Sequence, residues 1–251
     1  MDPLFHLLLF IIATVANLLS AVAGGGAGLL QLPALILLGL PFPVALATHK
    51  VATVALGLGA SLRHARERTL ELRFSLYILL AGLPGVIAGA SLVLAIPERL
   101  AEIALGTLII GLGLHSRFSP GLGLEHRPQH RDIRGYLVGG LVLTGLGVIN
   151  GSLTAGSGLF VTLWLVRWFG LDYTRAVAYT LVLVGVFWNG SGALVLGLLG
   201  DIEWRWLPAL IAGSLVGGYL GAHLAIVRGN NLIKAIFEIV TVLVGLSLLV
   251  P

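Results

Sequence analysis

Residues 4–23 form an apolar run interrupted only by His6, Thr14, Asn17 and Ser20. A helix that crosses the roughly 30 Å hydrocarbon core of a bilayer needs about 20 such residues. Inside that core every backbone polar group has to be paired within the protein, which a helix achieves along its own length. A cleaved signal peptide would begin with basic residues, whereas this chain begins Met1-Asp2-Pro3, so the run is read as a retained first helix. Similar runs cover residues 44–62, 74–96, 98–114, 136–155, 176–199, 205–227 and 232–250, with shorter ones at 27–40 and 159–169. Charged residues make up 10% of the chain and hydrophobic ones 57%, with a mean hydropathy of +1.02, against about 25% charged in soluble domains. The fold class is therefore an all-α polytopic membrane protein. Its 35 glycines suit close helix approach in lipid, where packing cannot lean on the hydrophobic effect. Cysteine is absent, which excludes disulfides and thiolate metal sites.

Residues 24–50 organise the rest. Gly24, Gly25, Gly26 and Gly28 cluster after the first run, Pro33 sits in the short run 27–40, and Thr48-His49-Lys50 lies inside the next one. The short run makes only about 21 Å of helix, so it either starts earlier through the glycines, is a half-helix, or forms a re-entrant hairpin with its predecessor; whether it and the run at 159–169 fully span is left open by length alone. A helix can break in a membrane only where protein or a water-filled cavity satisfies the freed groups. An intramembrane cation beside such a break reads as a binding site. Lys50 lies about 9 Å of helical rise from one end of its run and about 18 Å from the other. The competing readings are snorkelling to the interface and an ion pair with Glu102 or Glu238.

The second half repeats the plan. Ala155-Gly156-Ser157-Gly158 answers Gly25-Gly26-Ala27-Gly28 at an offset of 130. An offset of 132 then matches Thr48 with Thr180, Glu71 with Glu203, Arg73 with Arg205, Gly85 with Gly217, Gly89 with Gly221 and Gly113 with Gly245. One register holding across the half argues for duplication, with residues 1–114 as the first repeat, 115–134 as a basic linker and 135–251 as the second repeat. If the arginine-rich loop at 63–73 is cytoplasmic, counting runs places every Lys and Arg except Lys50, Arg99 and Arg205 on the inside, as the positive-inside rule requires. About five runs per half then make the two repeats inverted relative to one another. The linker is expected in the cytoplasm and both termini outside, in the inner (plasma) membrane. With the arginines in topogenic loops, the net charge of +4 does not call for nucleic acid. Trp164, Trp168, Trp204 and Trp206 near run ends read as interfacial anchors, and Glu238, four residues after Lys234, as its helical ion-pair partner.

The Gly-Gly-Gly-Ala-Gly cluster, Pro33, the run Ala45-x-Ala47-Thr48-His49-Lys50 and the second-half AGSG with Asn189 downstream resemble the TauE/SafE sulfite-exporter family, the toluene-sulfonate-uptake permease group. The resemblance covers nearly the whole chain, with the linker its least typical part. It implies a secondary transporter of small sulfur-containing anions, such as sulfite, sulfoacetate or other organosulfonates. Export by alternating access, driven by membrane potential or coupled to a proton, is the expected mode. The alternatives are an anion channel or a transporter of a different small organic anion. In many relatives the triplet reads Thr-Asn-Lys, and His49 departs from it.

The residues themselves point to an anion. Paired helix breaks present amino ends with partial positive charge, and Gly25, Gly26 and Gly28 with Gly156 and Gly158 let backbone approach a ligand. Lys50 adds a full charge. His49 could move a proton, or could pack as a hydrogen-bonded histidine. Thr48, Thr180 and Asn189 are candidate donors, with Gln31, Asn150 and Ser157 behind them; each alone also suits an interhelical hydrogen bond. No phosphate loop is present and the histidines do not converge at ligand spacing, so neither a cofactor nor an enzyme activity is expected. The partners are a small anion and the lipid bilayer.

Overall fold

The computed structural model describes residues 3–67, 70–92, 107, 110–111, 113–114, 116–119, 121–154 and 156–249. Helix α1 (Pro3–Ala23) opens on a proline, whose missing N–H is no loss in a first turn, and stops where Gly24, Gly25 and Gly26 all take positive φ. A 3₁₀ turn (Ala27–Leu29) and the seven-residue α2 (Gln31–Leu37) follow. Pro33 falls in the first turn of α2, where it costs no helical bond. Next come α3 (Phe42–His64), entered through Pro41, and α4 (Leu72–Leu92). After the linker, α5 (Ile133–Ser152) is capped by the Asp132 carboxylate, which accepts from the Gly135 amide at 3.2 Å. Then α6 (Ser157–Arg167) begins behind Gly156, at φ 72. Helix α7 (Tyr173–Leu199) is capped by Asp172 and widens into π-helical turns over Thr180–Trp188. Last is α8 (Leu207–Leu249), which leaves helical geometry at Gly229.

Six helices among the described residues, α1, α3, α4, α5, α7 and α8, are long and apolar enough to cross a membrane. The two short runs do not reach that length. Ala27–Leu37 and Ser157–Arg167 each span 11 residues, about 17 Å at helical rise. The expected runs at 205–227 and 232–250 share α8, and the break at Gly229 falls in the turn expected between them. The run at 98–114, with Arg99 and Glu102, lies largely outside the described residues.

Helix packing is glycine-seated. Gly85 and Gly89 of α4 leave no room for a Cβ against the Thr144 and Val148 carbonyls of α5. Gly217 and Gly221 of α8 seat in the same way on the Thr14 and Leu18 carbonyls of α1. The glycines correspond at the offset of 132 and the carbonyls at 130, so the same helix contact occurs twice, each time joining one helix from each half. In lipid such close approach supplies dispersion attraction that larger residues would forfeit.

Polarity is arranged as a bilayer demands. Leu7, Leu8, Ile11 and Val15 of α1 and Leu76, Leu80 and Ile87 of α4 are exposed, while Asn17, Gln31, Thr48, His49, Lys50, Asn150, Thr162 and Thr180 are buried. At the linker end the chain crosses the α6–α7 turn by bonds from the Arg127 and Gln129 amides to the Gly170 and Phe169 carbonyls. Arg131 lies 3.8 Å over the Phe74 ring there. Lys234 and Glu238 pair at 3.1 Å, as their spacing predicts. The tryptophans are less uniform than expected: Trp204 is exposed, but Trp206 is buried against Phe5 and Trp168 is stacked between His130 and Trp164.

Candidate functional site

The two helix breaks meet. Gly25, at φ 134, packs its Cα against the backbone of Gly158, with no space for a side chain on either residue. Their backbones match as well as their sequences. Gly24 and Gly26 take φ 84 and 98, and the residues 130 positions later, Thr154 and Gly156, take φ 60 and 72. Threonine rarely adopts that conformation; here its hydroxyl donates to the Asn150 carbonyl at 3.0 Å, which holds the turn. A further bond crosses between the breaks, from the Thr162 hydroxyl of α6 to the Gly24 carbonyl at 2.6 Å.

Between the breaks is a cavity of about 30 Å³, the size of one or two water molecules. Backbone of Gly25, Gly26 and Gly28 forms one wall and Thr154, Ser157 and Gly158 the opposite one. Ser20 of α1, Asn150 of α5, His49 and Thr53 of α3, and Thr180 and Asn189 of α7 complete the polar lining, with Leu56, Leu181 and Val184 as its apolar part. Every one of those polar side chains is buried, the most exposed being Asn189 at 7%.

Lys50 is 0% exposed. Its ammonium donates to the Asn150 carbonyl at 2.7 Å and reaches the Asn150 Oδ1 at 3.5 Å. Among the described residues no carboxylate pairs with it, so neither the snorkelling reading nor a pair with Glu238 holds, and Glu102 lies outside the described residues. Gly192 of α7 leaves the room its stem occupies. Asn150 relays the lysine to the cavity: its amide donates to Ser157 Oγ at 2.9 Å and to Asn189 Oδ1 at 3.1 Å. His49, also 0% exposed, has no hydrogen-bond partner for either ring nitrogen among the described residues.

Of the residues singled out from sequence, Gly25, Gly26, Gly28, His49, Asn150, Ser157, Gly158, Thr180 and Asn189 line the cavity. Lys50 stands one side chain behind it, and Gly156 caps α6 just outside. Gln31 and Thr48 are elsewhere. The Gln31 Oε1 accepts from Asn17 at 3.0 Å, and the Thr48 hydroxyl accepts from the Glu203 amide at 3.0 Å. Ser20, Thr53 and Thr154 were not anticipated, although signals existed. Thr53 is one helical turn after His49, and Ser20 is the counterpart of Asn150 at the offset of 130.

The profile described as "Sulfite exporter TauE/SafE" matches residues 9–248. The chain belongs to that family. A "Probable membrane transporter protein" of Haemophilus influenzae is 34% identical over 93% of this chain and 90% of its own length. Relatives described in the same words from Sinorhizobium and from Escherichia coli K12, the latter named YfcA, are 28% identical over 99% of this chain and 94% and 91% of theirs. No solved structure matches. This TauE/SafE protein is thus a membrane transporter and not an enzyme.

Proposed function

We propose that the chain is a secondary transporter that exports small sulfur oxyanions, sulfite first among them, by alternating access. The observation that carries this reading is a fully buried lysine with no carboxylate partner among the described residues, joined through Asn150 to a small polar cavity. A buried ammonium costs several kcal/mol unless it is compensated, and a carbonyl dipole compensates it only in part. A transported anion would complete the balance. Helix α6, which starts at the cavity wall, adds the partial positive charge of its amino end.

The small size of the cavity and the burial of its polar lining favour a carrier over an open channel. A cavity of about 30 Å³ has to widen to admit cargo, and the walls that would part are the two glycine breaks, one from each half. On this reading the linker end is cytoplasmic and the halves are inverted. Helix α1 begins beside Arg205, where His6 meets the Arg205 carbonyl, whereas its counterpart α5 begins at the linker end beside Tyr77. An inside-negative potential then favours exit of a monovalent anion by about 2.3 kcal/mol per 100 mV, and proton coupling would act on top of that.

The test is efflux of labelled sulfite from proteoliposomes holding the wild type or Lys50→Gln, with and without an imposed pH gradient. Saturable efflux with counterflow, lost in Lys50→Gln, is expected. Efflux equal to that of empty liposomes for sulfite and a panel of sulfonates would sink the assignment of cargo, and flux without counterflow would favour a channel.

A further inference from the structure

Two hydrogen bonds tie the halves together at opposite ends of the bundle, and they correspond. The Glu71 amide, just ahead of α4, donates to the Tyr179 hydroxyl of α7 at 2.7 Å. The Glu203 amide, in the turn before α8, donates to the Thr48 hydroxyl of α3 at 3.0 Å. Glu71 and Glu203 are counterparts at the offset of 132, and Thr48 and Tyr179 stand 131 apart, within the slip between the two offsets. Helices α3 and α7 begin at Phe42 and Tyr173, also 131 apart, so each hydroxyl lies six residues inside its helix, about 9 Å of rise. The same bond is made twice, each time from a loop of one half to a helix of the other.

The cavity lies between the two bonds. Helix α7 runs from the linker end, where the Tyr173 amide donates to the Gly123 carbonyl, to the turn that holds Glu203. The residue after each hydroxyl, His49 on α3 and Thr180 on α7, lines the cavity. Thr48 and Tyr179 are themselves 0% and 2% exposed. Each satisfies an amide at the entry to a helix, where no carbonyl of that helix is available. A carrier that opens to one side at a time needs a closure on each side that can be released separately. Two matched single bonds, each joining the halves at its own end, meet that need.

We propose that Thr48 and Tyr179 are the latch residues of the transport cycle. Tyr179 closes the cavity towards the linker side and Thr48 towards the opposite side, and both latches are closed in this structure. The inference rests on the alternating-access reading above and does not depend on the cargo.

The test uses the absence of cysteine. Ser20→Cys places one thiol in the cavity wall, at a hydroxyl without a hydrogen-bond partner among the described residues. A small impermeant methanethiosulfonate is then added to right-side-out or inside-out vesicles, with the linker side identified by labelling Gln129→Cys in parallel. The readout is the ratio of the labelling rates from the two sides. Tyr179→Phe keeps the ring against Phe74 and Thr48→Val keeps the branched side chain, so each removes little beyond the latch. Tyr179→Phe is expected to shift the ratio towards the linker side and Thr48→Val towards the opposite side, each by roughly two- to tenfold, the equilibrium effect of one hydrogen bond. Thr48→Ser keeps the hydroxyl and should keep the wild-type ratio. Simple braces would loosen both sides together. An unchanged ratio in both variants, or shifts towards the same side, therefore overturns the proposal and leaves the anion reading to the efflux test. Protection of the thiol from both sides in every variant overturns alternating access at this cavity as well. Thr48→Ala gives the same readout if Thr48→Val does not fold.

Discussion

Replacing Lys50 with methionine separates a functional lysine from a structural one. The substitution removes the bond from Nζ to the Asn150 carbonyl at 2.7 Å, and a hydrogen bond to a charged group is worth about 1.5–3 kcal/mol. The carbonyl is not orphaned, because the Thr154 hydroxyl also donates to it. Against that loss stands the burial of an ammonium without a carboxylate partner among the described residues, which costs several kcal/mol. The methionine stem fits the space beside Gly192 that the lysine stem uses now. Desolvation therefore wins, and the ligand-free Lys50→Met protein is expected to be more stable than wild type, by about 1–4 kcal/mol if the range for buried ion pairs replaced by apolar residues carries over to a lone buried charge. Sulfite should reverse the order. A ligand at a hundred times its Kd stabilises the protein that binds it by about 2.7 kcal/mol, and only the wild type should gain this. The assay is unfolding in detergent followed by tryptophan fluorescence, with and without sulfite. A methionine variant that is less stable than wild type by more than about 1 kcal/mol, and still responds to sulfite, would show that the lysine is a structural strut.

Three further outcomes follow from particular contacts. Gly85→Val and Gly217→Val each drive a side chain into a carbonyl of the partner helix and should each cost about 1–3 kcal/mol, measured by the same unfolding assay; tolerance at both positions would contradict the glycine-seated packing. Asn150→Leu removes the side-chain donor to Ser157 Oγ and Asn189 Oδ1 while leaving the bond from Lys50 to the backbone carbonyl of residue 150 in place, so efflux should be abolished and stability lowered by about 1–3 kcal/mol, and full efflux would remove the Asn150 side chain from the site. Because the chain lacks cysteine, Gln129→Cys is a single reporter for the linker. It should react with an impermeant maleimide only after the cells are opened, and labelling of intact cells would invert the proposed topology.

The break at Gly24–Gly26 was legible because glycine clusters announce positive φ. Its partner was legible only in part, because position 154 takes the same backbone conformation with a threonine. Thr48 and His49 are neighbours in sequence and equally polar, but successive helical residues point about 100° apart. One is bonded to the Glu203 amide and the other lines the cavity, and composition cannot tell them apart. Gln31 misled for a similar reason. A buried amide beside a helix break has the chemistry of a ligand donor, and the structure gives it to Asn17.

What the sequence by itself determined were the properties that depend on a residue and its near neighbours. These are helices long enough for hydrocarbon, breaks where glycine permits them, arginines gathered in loops and a duplicated register. Each reflects a local free energy, such as backbone desolvation, φ preference or charge burial, that the order of residues specifies without reference to distant parts of the chain. Only the tertiary structure decided that the two breaks touch, that Lys50 reaches the cavity through Asn150, and that His49 has no hydrogen-bond partner among the described residues. Those facts arise where α1, α3, α5, α6 and α7 converge, and hydrogen bonds between groups 100 residues apart, as from Lys50 to Asn150, form only when packing brings them within reach.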